Sequence, residues 1–156
     1  RAYGVLANNG LKKDIKLLLD EGETNVSRVF SSDLSKTVNN MLESVVSESG
    51  TGKNAMIPHY RVAGKTATLH KVKAGGGYDE NKYVSAFAGF SPASNPRVVT
   101  VVIIDEPSEG KYFGGLVAAP IFSKVTERAL QLLRMSPDKQ SGSWVNHSSI
   151  KEQGKS

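Results

Sequence analysis

The sequence predicts an α+β domain in which an antiparallel sheet of three strands is flanked by helices. Three observations predict it. Strand-like runs recur near residues 60–72, 82–90 and 97–105, separated by short segments rich in Gly or Pro. Before them, Leu34, Val38, Met41, Leu42, Val45 and Val46 repeat at helical spacing. After them, Phe122, Val125, Ala129, Leu132 and Leu133 form a second such stripe behind Pro120, a residue tolerated in the first turn of a helix.

Each element has a local reason. Ala2, Tyr3, Val5, Leu6 and Ala7 read as the last turns of a buried helix that finds no partner in this chain, stopped by Asn8-Asn9-Gly10. Residues 13–30 are mixed, but a turn at 20–23 followed by alternation at 26–30 favours a short β ribbon. Ser31 or Ser32 caps the next helix, which ends near Ser49-Gly50. The first long strand carries Tyr60 and Val62 and continues to Val72. Residues 73–80, with Gly75-Gly76-Gly77, then make a hairpin loop, and 83–90 returns as the partner strand. Val98-Val99-Thr100-Val101-Val102-Ile103-Ile104 is apolar on both faces, as a central strand should be. Tyr112-Phe113-Gly114-Gly115 reads as a glycine-rich loop. The domain fills residues 1–135, and the polar segment 136–156 is expected to be disordered, Trp144 notwithstanding.

Composition narrows the function classes. A chain of 156 residues is long enough for one domain with a real core. Its net charge of +5 is moderate and scattered, which argues against nucleic acid as a partner. The lack of cysteine rules out disulfides and thiolate metal sites, and fits any compartment. No stretch of 18 apolar residues offers a membrane span. The chain opens at Arg1 inside a helical pattern with no signal peptide, so it is expected to be cut from something longer.

One stretch concentrates chemistry: Tyr60-Arg61-Val62-Ala63-Gly64-Lys65-Thr66-Ala67-Thr68. It holds an ammonium and two hydroxyls within four residues. On a strand, Lys65 and Ala67 point one way and Thr66 and Thr68 the other. A strand edge offers N–H and C=O groups to an extended peptide, and the hydroxyls and cation suit a carboxylate.

Other candidates read as structural. Gly50-Thr51-Gly52-Lys53 tempts a phosphate-loop reading, but the required earlier glycine is missing, Asn54 follows the lysine, and a helix rather than a strand precedes it. It is taken as a flexible turn. His59, His70 and His147 lack metal-ligand spacing, so no metal site is expected. Asp105 and Glu106 end a strand, where a turn or salt bridge is the simpler role. Ser-x-x-Lys occurs at Ser108/Lys111, Ser136/Lys139 and Ser148/Lys151, but none sits at the buried helix start that would let a desolvated lysine take a serine proton.

Taken in order, the helix, Gly50-Thr51-Gly52, the 60–68 stretch, Phe87-Ala88-Gly89-Phe90-Ser91-Pro92-Ala93, Ile104-Asp105-Glu106-Pro107, Tyr112-Phe113-Gly114-Gly115 and Ala118-Ala119-Pro120-Ile121-Phe122 form a linked set. The set resembles the C-terminal part of the transpeptidase domain of a class B penicillin-binding protein, the septal-division type of Gram-negative bacteria. The resemblance runs from Arg1 to about Pro137.

That resemblance implies a penicillin-binding/β-lactamase-like fold and a D,D-transpeptidase that cross-links peptidoglycan stem peptides through a serine acyl-enzyme. Members carry Ser-x-x-Lys, Ser-x-Asn and Lys-Thr/Ser-Gly motifs. Only the third has a counterpart here, as Lys65-Thr66-Ala67, and no Ser-x-Asn occurs. By resemblance, Lys65 raises the positive potential of the cleft and assists proton movement. The Thr66 and Thr68 hydroxyls hold the terminal carboxylate of D-Ala-D-Ala or of a β-lactam, and the Thr68 N–H is one of two oxyanion donors. Tyr112 and Phe113 would wall the bound ligand. Ala67 departs from the family's usual glycine, and its methyl would crowd the floor beneath the acyl group, which puts acylation rate and β-lactam affinity at issue.

The same resemblance implies no cofactor. The expected partners are the stem peptide, β-lactam antibiotics, the missing N-terminal part of the same protein and division-machinery proteins. It also implies a periplasmic location, with an anchor in the inner membrane outside this chain. The 156-residue chain alone is expected to be inactive. A carboxypeptidase or β-lactam sensor using the same strand stays open, as does a non-catalytic module that binds peptide carboxylates.

Overall fold

The computed structural model describes residues 1–18, 22–108 and 110–139. In chain order the elements are α1 (Ala2–Ala7), β1 (Leu11–Lys13), β2 (Val26–Arg28), α2 (Ser32–Val45), a 3-10 turn (Lys53–Ala55), β3 (Ala63–Val72), β4 (Tyr78–Ser91), β5 (Val98–Asp105), α3 (Gly114–Val117) and α4 (Ala119–Leu132). β1 and β2 make a small ribbon, as expected, but its first strand lies at Leu11–Lys13, largely ahead of the 13–30 segment expected to form it. The three long strands pair antiparallel in the order β3-β4-β5. The α+β reading therefore holds.

Register decides which side chains share a face. Thr66 lies opposite Phe87, which lies opposite Val102, while Lys65, Ala88 and Val101 line up on the reverse face. The first of these faces is the core. Phe87, Phe122 and Ile57 are buried there with Val102, Val46, Val62 and Ala118, and the Phe87 and Phe122 rings meet at 4.6 Å. α4 crosses this face, where the Thr126 Oγ1 hydroxyl donates to Thr100 Oγ1 at 2.9 Å.

Two helical stripes differ from expectation. α2 is capped as foreseen, with Ser31 Oγ accepting the Leu34 N–H, but Leu34 and Met41 are exposed. Its buried contact is Ser35, whose hydroxyl donates to the Leu6 carbonyl at 3.0 Å. α1 therefore does have a partner in this chain, namely α2. On α4 the buried line runs through Ala119, Phe122, Thr126 and Leu130, leaving Val125, Leu132 and Leu133 exposed. In both helices the apolar residues outnumber what the described residues cover, so spacing alone picked a stripe wider than, and rotated from, the packed one.

β5 is likewise corrected. It is an edge strand among the described residues, and its second apolar face is uncovered, with Val101 57% and Ile103 65% exposed. β3 starts at Ala63 rather than Tyr60, because Tyr60 forms a bridge with Ile57 and His59 turns the chain at φ 65°. β4 starts at Tyr78, which shortens the hairpin loop. Asp105 and Glu106 sit in an ion cluster with Lys71 and Lys82, matching the salt-bridge reading. Hydrogen bonds from Lys71 and then Lys82 hold the Glu106 carboxyl below its ordinary range.

The segment expected to be a free tail is tied down at its start. The Asp138 carboxylate accepts the Arg61 N–H at 2.7 Å, and the Lys139 N–H reaches the His59 carbonyl at 3.0 Å. Residues 140–156, with Trp144 and His147, lie outside the described residues, as do Asp20 and Glu21 of the turn before β2.

Candidate active site

β3 forms an outer edge of the sheet, so one side of its backbone has no strand partner among the described residues. Its side chains alternate as strand geometry demands. Lys65 and Ala67 are exposed on one face, while Thr66 and Thr68 are half-buried on the other.

The two threonines open into a cavity of about 380 Å³ whose walls include Thr51, Asn54, Phe113 and Gly115. Thr68 Oγ1 accepts the Gly114 N–H at 3.0 Å, which turns its own proton toward other acceptors. Thr66 Oγ1 sits 3.5 Å from Thr51 Oγ1, at the limit of a hydrogen bond. Across the cavity, Asn54 Nδ2 donates to the Gly115 carbonyl at 2.8 Å and ties the far wall to the near one.

Lys65 Nζ reaches over the strand to the Thr66 carbonyl and hydroxyl at 3.2 and 3.3 Å. Among the described residues no carboxylate pairs with it. Lys53, the cation that lines this cavity, is held by Glu48 at 2.6 Å, whereas Lys65 stands on the other face of the strand. An ammonium with no carboxylate partner among the described residues, beside the Thr66 hydroxyl, adds a positive field and directional donors to this edge, a combination suited to a carboxylate.

The wall opposite β3 depends on two glycines. A Cβ on Gly114 would lie 2.3 Å from the Ala86 carbonyl oxygen and 2.4 Å from that of Ala67, and one on Gly115 would lie 2.4 Å from the Thr51 carbonyl oxygen. These neighbours are backbone atoms and cannot rotate away. Gly114→Ala is therefore expected to lower stability by about 1–3 kcal/mol in thermal or chemical denaturation, by pushing α3 off the hairpin. A loss below about 0.5 kcal/mol would mean that the wall yields freely.

The predicted aromatic pair divides. Phe113 is 55% exposed and lines the cavity. Tyr112 does not line it; its ring stacks on Tyr83 at 4.0 Å, and Tyr83 in turn meets His70. His70 is further fixed by the Asp79 carbonyl at 3.0 Å. Ala67 points away from the threonine side, on the face of Lys65. Ser108 and Lys111 fall in the stretch after β5, and Ser136 and Lys139 follow α4, while Ser148 and Lys151 lie outside the described residues.

Sequence reading missed Thr51 and Asn54. The segment taken for a plain turn is one wall of the cavity, fastened by Gly52 N–H to the Val45 carbonyl at 2.9 Å. A hydroxyl held between Gly50 and Gly52 was the available signal: a Cβ on Gly50 would sit 2.1 Å from the Val45 carbonyl oxygen, so the glycine marks close packing rather than slack.

Residues 1–127 match the family described as the penicillin binding protein transpeptidase domain. The chain is 40% identical over 144 residues to the peptidoglycan D,D-transpeptidase FtsI of Buchnera aphidicola subsp. Baizongia pistaciae, a match covering 88% of this chain and 25% of that protein. To FtsI of Escherichia coli K12 it is 38% identical over 138 residues, covering 88% and 23%. Among solved structures, the apo TP domain of penicillin-binding protein 3 from Burkholderia pseudomallei superposes with a TM-score of 0.79 at 41% identity, over 90% of this chain and 43% of that one. The chain thus spans about a quarter of the length of these curated relatives.

Proposed function

The chain belongs to the penicillin-binding protein transpeptidase family, with relatives of the division type, and from that premise we propose that it supplies the substrate-carboxylate edge of a peptidoglycan D,D-transpeptidase. One observation carries the reading: on a strand edge with no strand partner among the described residues, Thr66 and Thr68 line a cavity, and Lys65, with no carboxylate partner among those residues, reaches the Thr66 hydroxyl.

The chemistry follows from that placement. The stem peptide lies along β3 as an added strand, and its terminal D-Ala carboxylate takes hydrogen bonds from the Thr66 and Thr68 hydroxyls. A serine, supplied by protein outside this chain, attacks the penultimate carbonyl. The tetrahedral oxyanion is held by the Thr68 N–H and a second N–H near that serine. The departing D-alanine takes a proton and leaves an acyl-serine ester, which the amine of a second stem peptide then attacks. Lys65 contributes positive potential throughout and aids proton movement at the missing motif. Phe113 shields the ester from water on the cavity side. A β-lactam mimics the same carboxylate and amide, but its opened ring stays attached. The Ala67 methyl lies on the Lys65 side of the strand, where it would meet the acyl group rather than the carboxylate.

No helix among the described residues is long and apolar enough to cross a membrane. The proposed setting is the periplasm, with anchor, nucleophile and contacts to the division machinery supplied by the rest of the protein. Labelled penicillin tests the whole reading. It is expected to attach covalently to the full-length protein and not to the isolated chain. Attachment to the isolated chain would overturn the missing nucleophile, and no attachment to the full-length protein would overturn the enzyme.

A further inference from the structure

Asp138 lies past the end of α4 and outside the cavity, yet its carboxylate is engaged on both oxygens by chain next to the active strand. Oδ1 accepts the Arg61 N–H at 2.7 Å, and Oδ2 accepts the N–H and Oγ–H of Ser94 at 3.1 and 2.7 Å. Its neighbours add two further ties. The Tyr60 hydroxyl donates to the Met135 carbonyl at 2.7 Å, and the Lys139 N–H donates to the His59 carbonyl at 3.0 Å. Residues 135–139 thus run as a strap across 59–61.

Arg61 is where these restraints meet. Its carbonyl accepts Ser91 Oγ and the Ala93 N–H, each at 2.9 Å. Its guanidinium forks onto Glu43 of α2 at 2.8 and 2.7 Å. The backbone N–H is the group left over, and Asp138 takes it with a charged acceptor, the stronger kind of hydrogen bond. Four residues further on stands Lys65. An edge strand is positioned by its one ladder neighbour and by the direction from which it enters the sheet, and the entry is what this node fixes.

We propose that Asp138 is a positioning residue for the 65–68 edge, acting through Arg61, and that residues 135–139 are a strap setting the aim of the Thr66 and Thr68 hydroxyls. The inference rests on the proposed transpeptidase reading for its effect on rate, but the mechanical part stands on the contacts alone.

The test compares Asp138→Ala and Asp138→Asn with the parent in the full-length protein, well below the melting temperature. Amide hydrogen exchange is followed over residues 61–68, alongside the second-order rate of labelled-penicillin attachment. Asp138→Ala is expected to speed exchange in that segment by about tenfold while the core of α4 is unchanged, and to slow attachment by about five- to tenfold. Asp138→Asn keeps an oxygen for the Arg61 N–H but loses the acceptor for Ser94, so it is expected to recover more than half of the lost rate. Unchanged exchange over 61–68 in Asp138→Ala overturns the strap. Faster exchange with an unchanged rate overturns the positioning role. If the parent protein takes up no penicillin, the transpeptidase reading fails, and the exchange comparison still decides whether the strap exists.

Discussion

Alanine in place of Lys65 is expected to slow penicillin attachment to the full-length protein by about a hundredfold or more, with almost no change in melting temperature. The two halves of that expectation have separate causes. Lys65 is exposed, its contacts are to the adjacent Thr66, and it has no carboxylate partner among the described residues, so the fold gains little from it. Surface substitutions of this kind usually shift stability by less than about 0.5 kcal/mol. The proposed chemistry, by contrast, needs its charge at a site closed by the rest of the protein, where lower dielectric makes one cation worth more than in water. Stopped-flow or gel-based attachment rates beside a thermal melt separate the two effects. A rate within about threefold of the parent would remove Lys65 from the mechanism.

The largest stability loss is expected at Phe87. Its side chain is fully buried, packs on Phe122, and lies opposite Thr66 in the sheet. Two glycines are shaped to it: a Cβ on Gly64 would come within 2.7 Å of its ring, and one on Gly52 within 3.1 Å. Phe87→Ala therefore empties space that backbone on two sides cannot readily fill. The expected cost is about 3–5 kcal/mol, a large share of the 5–15 kcal/mol typical of a whole domain. The void would open between the 50–52 loop and the start of β3, so the wall that Thr51 gives to the cavity should loosen before the rest. Denaturant unfolding of the full-length protein measures the first effect, and protection of the Gly52 amide the second. A loss under about 1 kcal/mol would mean that the ring is not what holds these two elements together.

What the sequence could and could not reveal follows from how local each signal is. The polar cluster at 65–68, the cap at Ser31 and the stop at Gly10 depend on residues within a few positions of one another, and all three were readable. The division of Lys65 from Thr66 and Thr68 follows from strand geometry alone. The exposed apolar residues of α2, α4 and β5 were misread because hydrophobic spacing reports what a chain is able to bury, not which part of the protein covers it. Tyr112 was assigned to the cavity beside Phe113, but stacking on Tyr83 turns it aside, and that contact joins residues 29 apart. Asn54 and Asp138 gave no local signal, and Thr51 only the two glycines that flank it. Thr66, the partner of Thr51, Gly115, the partner of Asn54, and Arg61, the partner of Asp138, are brought near only by the sheet and the helices that pack on it.

The position of the bound carboxylate bears on all of this most directly. A structure of the full-length protein with penicillin attached should place that group between the Thr66 and Thr68 hydroxyls, within about 2.6–3.0 Å of each oxygen. A carboxylate lying on the Lys65 and Ala67 face, or held elsewhere with both hydroxyls free, would contradict it.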